Sequence, residues 1–105
     1  NVLVNSINFG SDAEHFIRAM PSARIAYMHI AGHFDAEPGL KIDSHGAPVI
    51  DSVWRLLQLA YAAHGVRPTL LERDFNFPPI AELYAEVAQI RALQTAATAP
   101  KSLRA

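Results

Sequence analysis

The sequence predicts an α/β domain in which parallel strands alternate with helices. Half of the 105 residues are hydrophobic, which is enough to form a buried core and argues against a disordered chain. Three apolar segments have the length and composition of strands, and a helical pattern follows each of them along the chain. This alternation is typical of a parallel sheet whose strands are connected by helices.

The first strand and the first helix are predicted in residues 2–20. The run from Val2 to Asn8 is apolar and rich in β-branched residues, which favours a strand that ends at Gly10. Residues 11–14 (Ser-Asp-Ala-Glu) fit a capping box, so a short helix should follow and should end before Pro21. Its apolar face is expected to consist of Phe16, Ile17 and Met20.

The second strand is predicted at residues 24–30 and the loop after it at residues 31–49. The strand is apolar on both faces, as expected for a buried parallel strand. The loop contains several glycines and prolines and is long for a compact domain. Loops of this length are usually functional.

The remaining elements are a helix, a third strand and a last helix. Asp51 is the predicted N-cap of the helix and Gly65 its C-terminal stop, while residues 67–72 form the strand. Pro79 is expected in the first turn of the last helix. The predicted buried face of the first of these helices is Val53, Trp54, Leu57, Ala60 and Tyr61, and that of the second is Ile80, Leu83, Tyr84, Val87 and Ile90.

Residues 1–95 are interpreted as the βα units, and residues 96–105 as a disordered or frayed tail, because the apolar pattern fades after Leu93. The chain begins with Asn1 rather than methionine, inside a run that favours a strand. We therefore expect the sequence to be a piece of a longer protein.

Composition excludes several classes of protein. The net charge of −1 argues against a nucleic-acid-binding protein, which would carry a basic surface. No apolar run approaches 18 residues, so no membrane span is predicted. The absence of cysteine excludes disulfides and thiolate metal sites. No signal peptide opens the sequence, and we expect a cytoplasmic protein.

Histidine and carboxylate side chains cluster where the predicted strands end. His29 is near the end of the second strand, Glu72 ends the third, and the long loop carries His33, Asp43 and His45. The carboxyl ends of parallel strands meet at one edge of a sheet or barrel, so these groups should converge there. Nitrogen and oxygen ligands of this kind suit iron, manganese or zinc.

Each of these residues also has an ordinary structural explanation. A histidine at a strand end is more often a hydrogen-bonded structural residue than a ligand, and Glu72 can pair with a neighbouring arginine. His15 and His64 are interpreted as structural or surface residues, and the pair Glu82 and Glu86 as a solvated helix face. The spacing alone leaves the metal site and the structural explanation equally open.

The motifs taken together resemble those of the multinuclear non-haem iron-dependent oxidases, a family that includes the methanobactin biosynthesis oxidase. The resemblance covers most of the chain, from Asn1 to about Leu93. It rests on the runs NVLVNSINFG, HIAGH, IDSHGAPV, VWxL and PTLLERDxNxP in this order.

The resemblance implies the C-terminal part of a TIM (β/α)8 barrel, with about three of its βα units in this sequence. It implies two or three iron ions at the mouth of the barrel and dioxygen as co-substrate. Members oxidise residues, most often cysteines, of ribosomally synthesised precursor peptides, and a separate partner protein commonly delivers the peptide. By position, the implied metal ligands are Asn1, His29, Asp43, His45 and Glu72, with no catalytic residue beyond them. His33, Asn5, Arg73 and Asp74 are expected to support the ligands or to contact substrate.

The sequence departs from the family in length. The other ligands would belong to the N-terminal half of the barrel, so we expect the isolated chain to be inactive. Two alternatives remain: another metal-dependent TIM-barrel enzyme, such as an isomerase related to xylose isomerase or an endonuclease-type hydrolase, or a non-catalytic interaction domain.

Overall fold

The computed structural model describes residues 2–10, 12–37, 40–42 and 46–98. Within these residues the chain forms four α-helices, one 3-10 turn and four short strands. In chain order they are α1 (Val2–Phe9), α2 (Ala13–Ala19), the 3-10 turn (Ser22–Arg24), β1 (Met28–Ala31), β2 (Phe34–Glu37), β3 (Leu40–Ile42), α3 (Asp51–His64), β4 (Thr69–Glu72) and α4 (Ile80–Thr98).

Strands β1 and β4 form a two-stranded parallel sheet. Met28 lies opposite Thr69 and Ala31 opposite Glu72, so the carboxyl ends of the two strands coincide. The chain passes through α3 between these strands, as parallel pairing requires a crossover connection. This confirms the parallel arrangement predicted for the second and third strand segments.

One face of the parallel sheet packs against both long helices. Ile30 of β1 lies in a single buried cluster with Trp54, Leu57 and Tyr61 of α3 and Ile90 of α4. Met28 and Leu71, which point to the same face as Ile30, are partly buried against this cluster. The core therefore lies between the sheet and α3 and α4, and the predicted apolar stripe of α3 is confirmed.

The strand predicted at residues 2–8 is wrong, because this segment is helix α1. A short apolar run is compatible with a strand or a buried helix, and β-branched composition alone does not decide between them. The helix satisfies its backbone hydrogen bonds internally, whereas a strand needs a neighbour. Val4 and Ser6 are buried, and the Ser6 hydroxyl donates to the Leu3 carbonyl oxygen at 2.7 Å.

The region predicted as a continuous loop at residues 31–49 contains a short antiparallel sheet. Strands β2 and β3 pair with Phe34 opposite Ile42 and Asp35 opposite Lys41, and the register shifts before Glu37. Alternating charged and apolar residues on such short strands resemble loop composition, so the sequence pattern did not reveal them.

Two helix starts differ by one residue from the prediction. Asp12 rather than Ser11 is the N-cap of α2, and its carboxylate accepts the His15 N–H at 3.1 Å. Ile50 precedes α3 in an extended conformation, so Asp51 is the first helical residue and not the N-cap. Asp51 still favours the helix start, because a carboxylate there interacts with the positive end of the helix dipole. Gly65 ends α3 at φ 84°, as predicted.

Helix α4 buries less of its predicted face than expected. Ile90 is buried and Leu83 and Val87 are partly buried, but Ile80 and Tyr84 are 65% and 66% exposed. The helix continues to Thr98 and so includes the first three residues of the predicted tail, while residues 99–105 lie outside the described part.

None of the helices in the described ranges is long and apolar enough to cross a membrane.

Candidate metal centre

His29 and Glu72, predicted separately from the sequence, meet at the carboxyl end of the parallel sheet. The His29 Nδ1 atom lies 2.6 Å from Oε1 of Glu72. The strand register explains the contact, because His29 is opposite Leu70 and Glu72 is two residues further along the same face. Two adjacent strands therefore bring one imidazole and one carboxylate together.

The pair lies on the sheet face opposite the core. Side chains of alternate residues share a face, so Tyr27 and Leu70 accompany His29 and Glu72 there. The Tyr27 and His29 ring centroids are 5.1 Å apart, and Tyr27 and Leu70 are 61% and 54% exposed. The side chains of His29 and Glu72 are 45% and 21% exposed, so the pair is accessible to a ligand.

The hydrogen bond between His29 and Glu72 determines which nitrogen of the His29 ring can bind a cation. A carboxylate oxygen accepts, so Nδ1 of His29 carries the proton that it donates to Glu72. In the neutral imidazole Nε2 then has the lone pair that binds a cation. This is the arrangement in which carboxylates commonly orient metal-binding histidines.

A cavity of about 270 Å³ adjoins the histidine. Its lining is mainly apolar and comes from α1, α2, β1 and α3, including Leu3, Ile17, Met28, Leu57 and His64. His29 is therefore solvated at the sheet face but borders apolar surroundings on the other side.

The chain after β1 returns to the end of the sheet at residues 46–49. Gly32 lies so close to this segment that a Cβ atom there would collide with the carbonyl oxygens of Ala47 and Pro48. The backbone crossing therefore requires glycine at position 32. His33, the next residue, is buried, which favours a supporting role over contact with a substrate in solvent.

Two side chains that the sequence did not single out as functional hold this returning segment. The Asn76 side chain donates from Nδ2 to the Gly46 carbonyl oxygen at 3.2 Å. Glu86 accepts the Val49 N–H at Oε2, at 2.9 Å. The interpretation of Glu86 as part of a solvated helix face is therefore wrong, because its carboxylate binds backbone 37 residues away in the sequence.

The other predicted supporting residues occupy varied positions. Arg73 directly follows Glu72, and its Nε atom is buried without a hydrogen-bond partner among the described residues. Asp74 is exposed in the turn after β4. Asn5 is exposed on helix α1 and not on a strand.

Three of the five predicted ligands, Asn1, Asp43 and His45, lie outside the described residues. Within the described ranges, no three histidine or carboxylate side chains come close enough together to hold a metal ion. The structure thus brings together His29 and Glu72, and the other ligand assignments stay predictions.

His64 has a structural role, as predicted. It is buried and bonded at both ring nitrogens, with Nδ1 2.6 Å from the Ser22 hydroxyl and Nε2 2.6 Å from the Ile17 carbonyl oxygen. A carbonyl oxygen only accepts, so Nε2 carries a proton. The ring links α3 to α2 and to the 3-10 turn.

Comparison with known proteins identifies the family. Residues 1–95 match the family described as RiPP precursor modification enzyme MbnB/TglH/ChrH. The chain belongs to this family. It is therefore related to enzymes that modify the precursors of ribosomally synthesised peptides, as the motif resemblance predicted.

Several bacterial relatives of the chain carry the designation UPF0276. The chain is 66% identical over 94 residues to a UPF0276 protein of Pseudomonas aeruginosa strain UCBPP-PA14 and covers 33% of it, with 90% of the chain aligned. It is 60% identical over 100 residues to a UPF0276 protein of Shewanella loihica and covers 36% of it, with 95% of the chain aligned. The chain thus spans about a third of these relatives. No solved structure matches it significantly.

Proposed function

We propose that the full-length protein is an iron- and dioxygen-dependent oxidase that modifies residues, most often cysteines, of ribosomally synthesised precursor peptides. Membership of a peptide-modifying family over residues 1–95 carries this proposal. The contact between His29 and Glu72 supports it, because two of the predicted metal ligands come from different strands and meet at an accessible edge.

The side chains present fit an iron centre. Imidazole and carboxylate are ligands that iron accepts, and the chain contains no cysteine to select a softer site. His29 and Glu72 would hold iron together with Asp43, His45 and Asn1. Iron and dioxygen, when bound, would supply the oxidising power for the peptide.

The described residues would bind iron, orient its ligands and contact the peptide. We assign no separate general acid or base among them. Glu72 holds the His29 ring in one orientation and in one tautomer through the Nδ1 hydrogen bond. The exposed side chains of Tyr27 and Leu70 beside the pair offer apolar contact to a bound peptide. A separate protein that delivers the peptide completes the proposed system.

We further propose that the two-stranded sheet is part of a TIM barrel. Both α3 and α4 pack on one sheet face, and His29 and Glu72 lie on the other. In a barrel the helices surround the strands, whereas open doubly wound sheets carry helices on both faces. The site would then lie at the carboxyl-terminal mouth, where barrel enzymes have their active sites.

Metal analysis of the full-length protein, purified without added metal, tests the proposal. We expect two or three iron ions per chain, and dioxygen consumption that depends on a cysteine-containing precursor peptide. The variants His29→Ala and Glu72→Ala should lose iron and activity, while His15→Ala, on the exposed side of α2, should retain both.

Zinc or manganese in place of iron would favour a metal-dependent isomerase or hydrolase instead. Unchanged metal content in both the His29 and the Glu72 variants would refute the assignment of the site.

A further inference from the structure

Residues 46–49 directly follow the Asp43-Ser44-His45 motif in the sequence. Two close contacts, two hydrogen bonds and the burial of Val49 fix the path of this segment at the end of the parallel sheet. At the start of the segment, Gly46 is buried against the aromatic ring of Phe75, and an added Cβ would lie 2.5 Å from ring carbons. In its middle, the Ala47 and Pro48 carbonyl oxygens pass over Gly32. A side chain at position 32 would collide with the backbone of the segment, and one at position 46 would displace the Phe75 ring.

Two hydrogen bonds from side chains also hold the backbone of this segment. Asn76 holds the Gly46 carbonyl oxygen at 3.2 Å, and Glu86 holds the Val49 N–H at 2.9 Å. Asn76 has φ 55°, a left-handed conformation that asparagine tolerates better than most residues. This turn directs the amide of Asn76 back towards Gly46.

The end of the segment is also fixed by burial. The Val49 side chain is buried in the core cluster with Trp54 and Ile90, so its backbone N–H has little access to water. A buried N–H needs a partner, and the Glu86 carboxylate provides one. A charged acceptor gives a stronger bond than a neutral one.

We infer that Asn76 and Glu86 are positioning residues: they fix the segment 46–49, which follows the proposed ligands Asp43 and His45 in the sequence, and iron binding depends on this anchoring. The inference rests on the proposed function, because it takes Asp43 and His45 as ligands. Neither Asn76 nor Glu86 is itself proposed to bind metal. They act from the β4–α4 connection and from α4, outside the ligand set.

The first experiment measures the anchoring alone, by amide hydrogen exchange of the full-length protein. In Glu86→Ala the peptide covering residues 46–49 should exchange about tenfold faster or more, because a bond to a charged acceptor is lost. Glu86→Gln keeps an acceptor oxygen and should restore most of the protection. Glu82→Ala, one turn earlier on the exposed surface of α4, is the matched control and should leave exchange unchanged.

Asn76 is tested with a variant that preserves its backbone. Asn76→Gly tolerates the positive φ but removes the side-chain amide. Faster exchange of the N–H groups in residues 46–49 then reports that the segment is less firmly held without the bond to the Gly46 carbonyl oxygen. Protection equal to that of wild type in both Asn76→Gly and Glu86→Ala would overturn the anchoring.

The second experiment measures iron affinity by competition with a chelator. Glu86→Ala should weaken iron binding roughly 10- to 100-fold, the usual effect of losing a group that orients ligands. Glu86→Gln should stay close to wild type. Iron affinity of Glu86→Ala equal to that of Glu82→Ala would overturn the positioning role even if exchange increases.

The two experiments separate this inference from the proposed function. If the wild-type protein binds no iron, the proposed function and the link to the ligands both fail, whatever the exchange result. If the wild-type protein binds iron, and the Glu86 and Asn76 variants match it in both hydrogen exchange and iron affinity, the proposed function stands and the positioning inference fails.

Discussion

At the scale of single residues, Glu72 could have either of two chemically distinct roles at the proposed iron centre. It can bind the metal itself, or it can only orient His29 through the 2.6 Å contact with Nδ1. The sequence resemblance assigns it as a ligand. A carboxylate binds iron through its charge, whereas orientation of the ring requires only a hydrogen-bond acceptor.

The variant Glu72→Gln distinguishes these roles. Its amide oxygen can still accept the His29 Nδ1 proton, but the group has lost its negative charge. If Glu72 is a ligand, we expect iron affinity to fall at least about tenfold, nearly as far as in Glu72→Ala. Chelator competition on the full-length protein measures the effect. Near-normal affinity in Glu72→Gln beside a large loss in Glu72→Ala would mean that Glu72 orients the histidine and does not bind the metal.

Residue-level reasoning predicted part of this site and missed part of it. The proximity of His29 and Glu72 could be predicted, because the carboxyl ends of parallel strands meet at one edge of a sheet. Glu86 could not, because its partner Val49 is far away in the sequence and helical spacing matched an exposed face. Contacts between distant segments leave no periodic pattern, so only the fold reveals them.

At the scale of elements, a polar network connects the amino end of β4 to both long helices. The Tyr61 hydroxyl on α3 is hydrogen-bonded to Thr69 Oγ1 on β4, and Gln94 on α4 donates to it at 3.2 Å. Tyr61 is also among the most buried side chains, at 2% exposed. The network fixes α3 and α4 on the same sheet face and so leaves the opposite face to His29 and Glu72.

Replacing Tyr61 by phenylalanine keeps the ring in the core and removes only the hydroxyl. Thr69 and Gln94 each retain a hydrogen bond to the Arg67 carbonyl oxygen, so neither is left unpaired. We therefore expect a loss of about 1 kcal/mol in the free energy of unfolding, near the ordinary value of one hydrogen bond. Chemical denaturation measures it, with Tyr84→Phe on the exposed side of α4 as control. Equal stability of the two variants would contradict the role of the network.

The sequence predicted best those elements that have a long apolar pattern or a clear boundary residue at their ends. Helix α3 has an apolar stripe over fourteen residues and a glycine stop, and β4 is an apolar run between a proline and charged residues. The segment 2–8 has neither feature, and it folds as a helix although its composition favours a strand. Ile80 and Tyr84 fit the stripe of α4 but are exposed, because helical spacing does not specify how much of a face the neighbours cover.

At the scale of the whole molecule, the sheet face opposite the core is the part of the chain that the proposed barrel would cover. A sheet of two short strands is marginally stable in water, and among the described residues the long helices α3 and α4 pack on one of its two faces. The face with Tyr27, His29, Leu70 and Glu72 would be the inner face of the proposed barrel. The relatives are about three times as long as the chain, which allows enough further strands to close such a barrel around this face.

A barrel whose strands share iron should be stabilised by that iron, because each ion would connect ligands from several strands. Ligand present at 100 times its dissociation constant stabilises a protein by about 2.7 kcal/mol. For a domain of this size class, that corresponds to a Tm higher by roughly 5–10 °C. Thermal unfolding of the full-length protein with and without a chelator measures the difference. His29→Ala and Glu72→Ala should unfold at the same temperature in both conditions, since neither retains the iron, while His15→Ala should respond like wild type. A chelator that leaves the wild-type Tm unchanged, or that shifts the His29 and Glu72 variants equally, would mean that iron does not connect these strands.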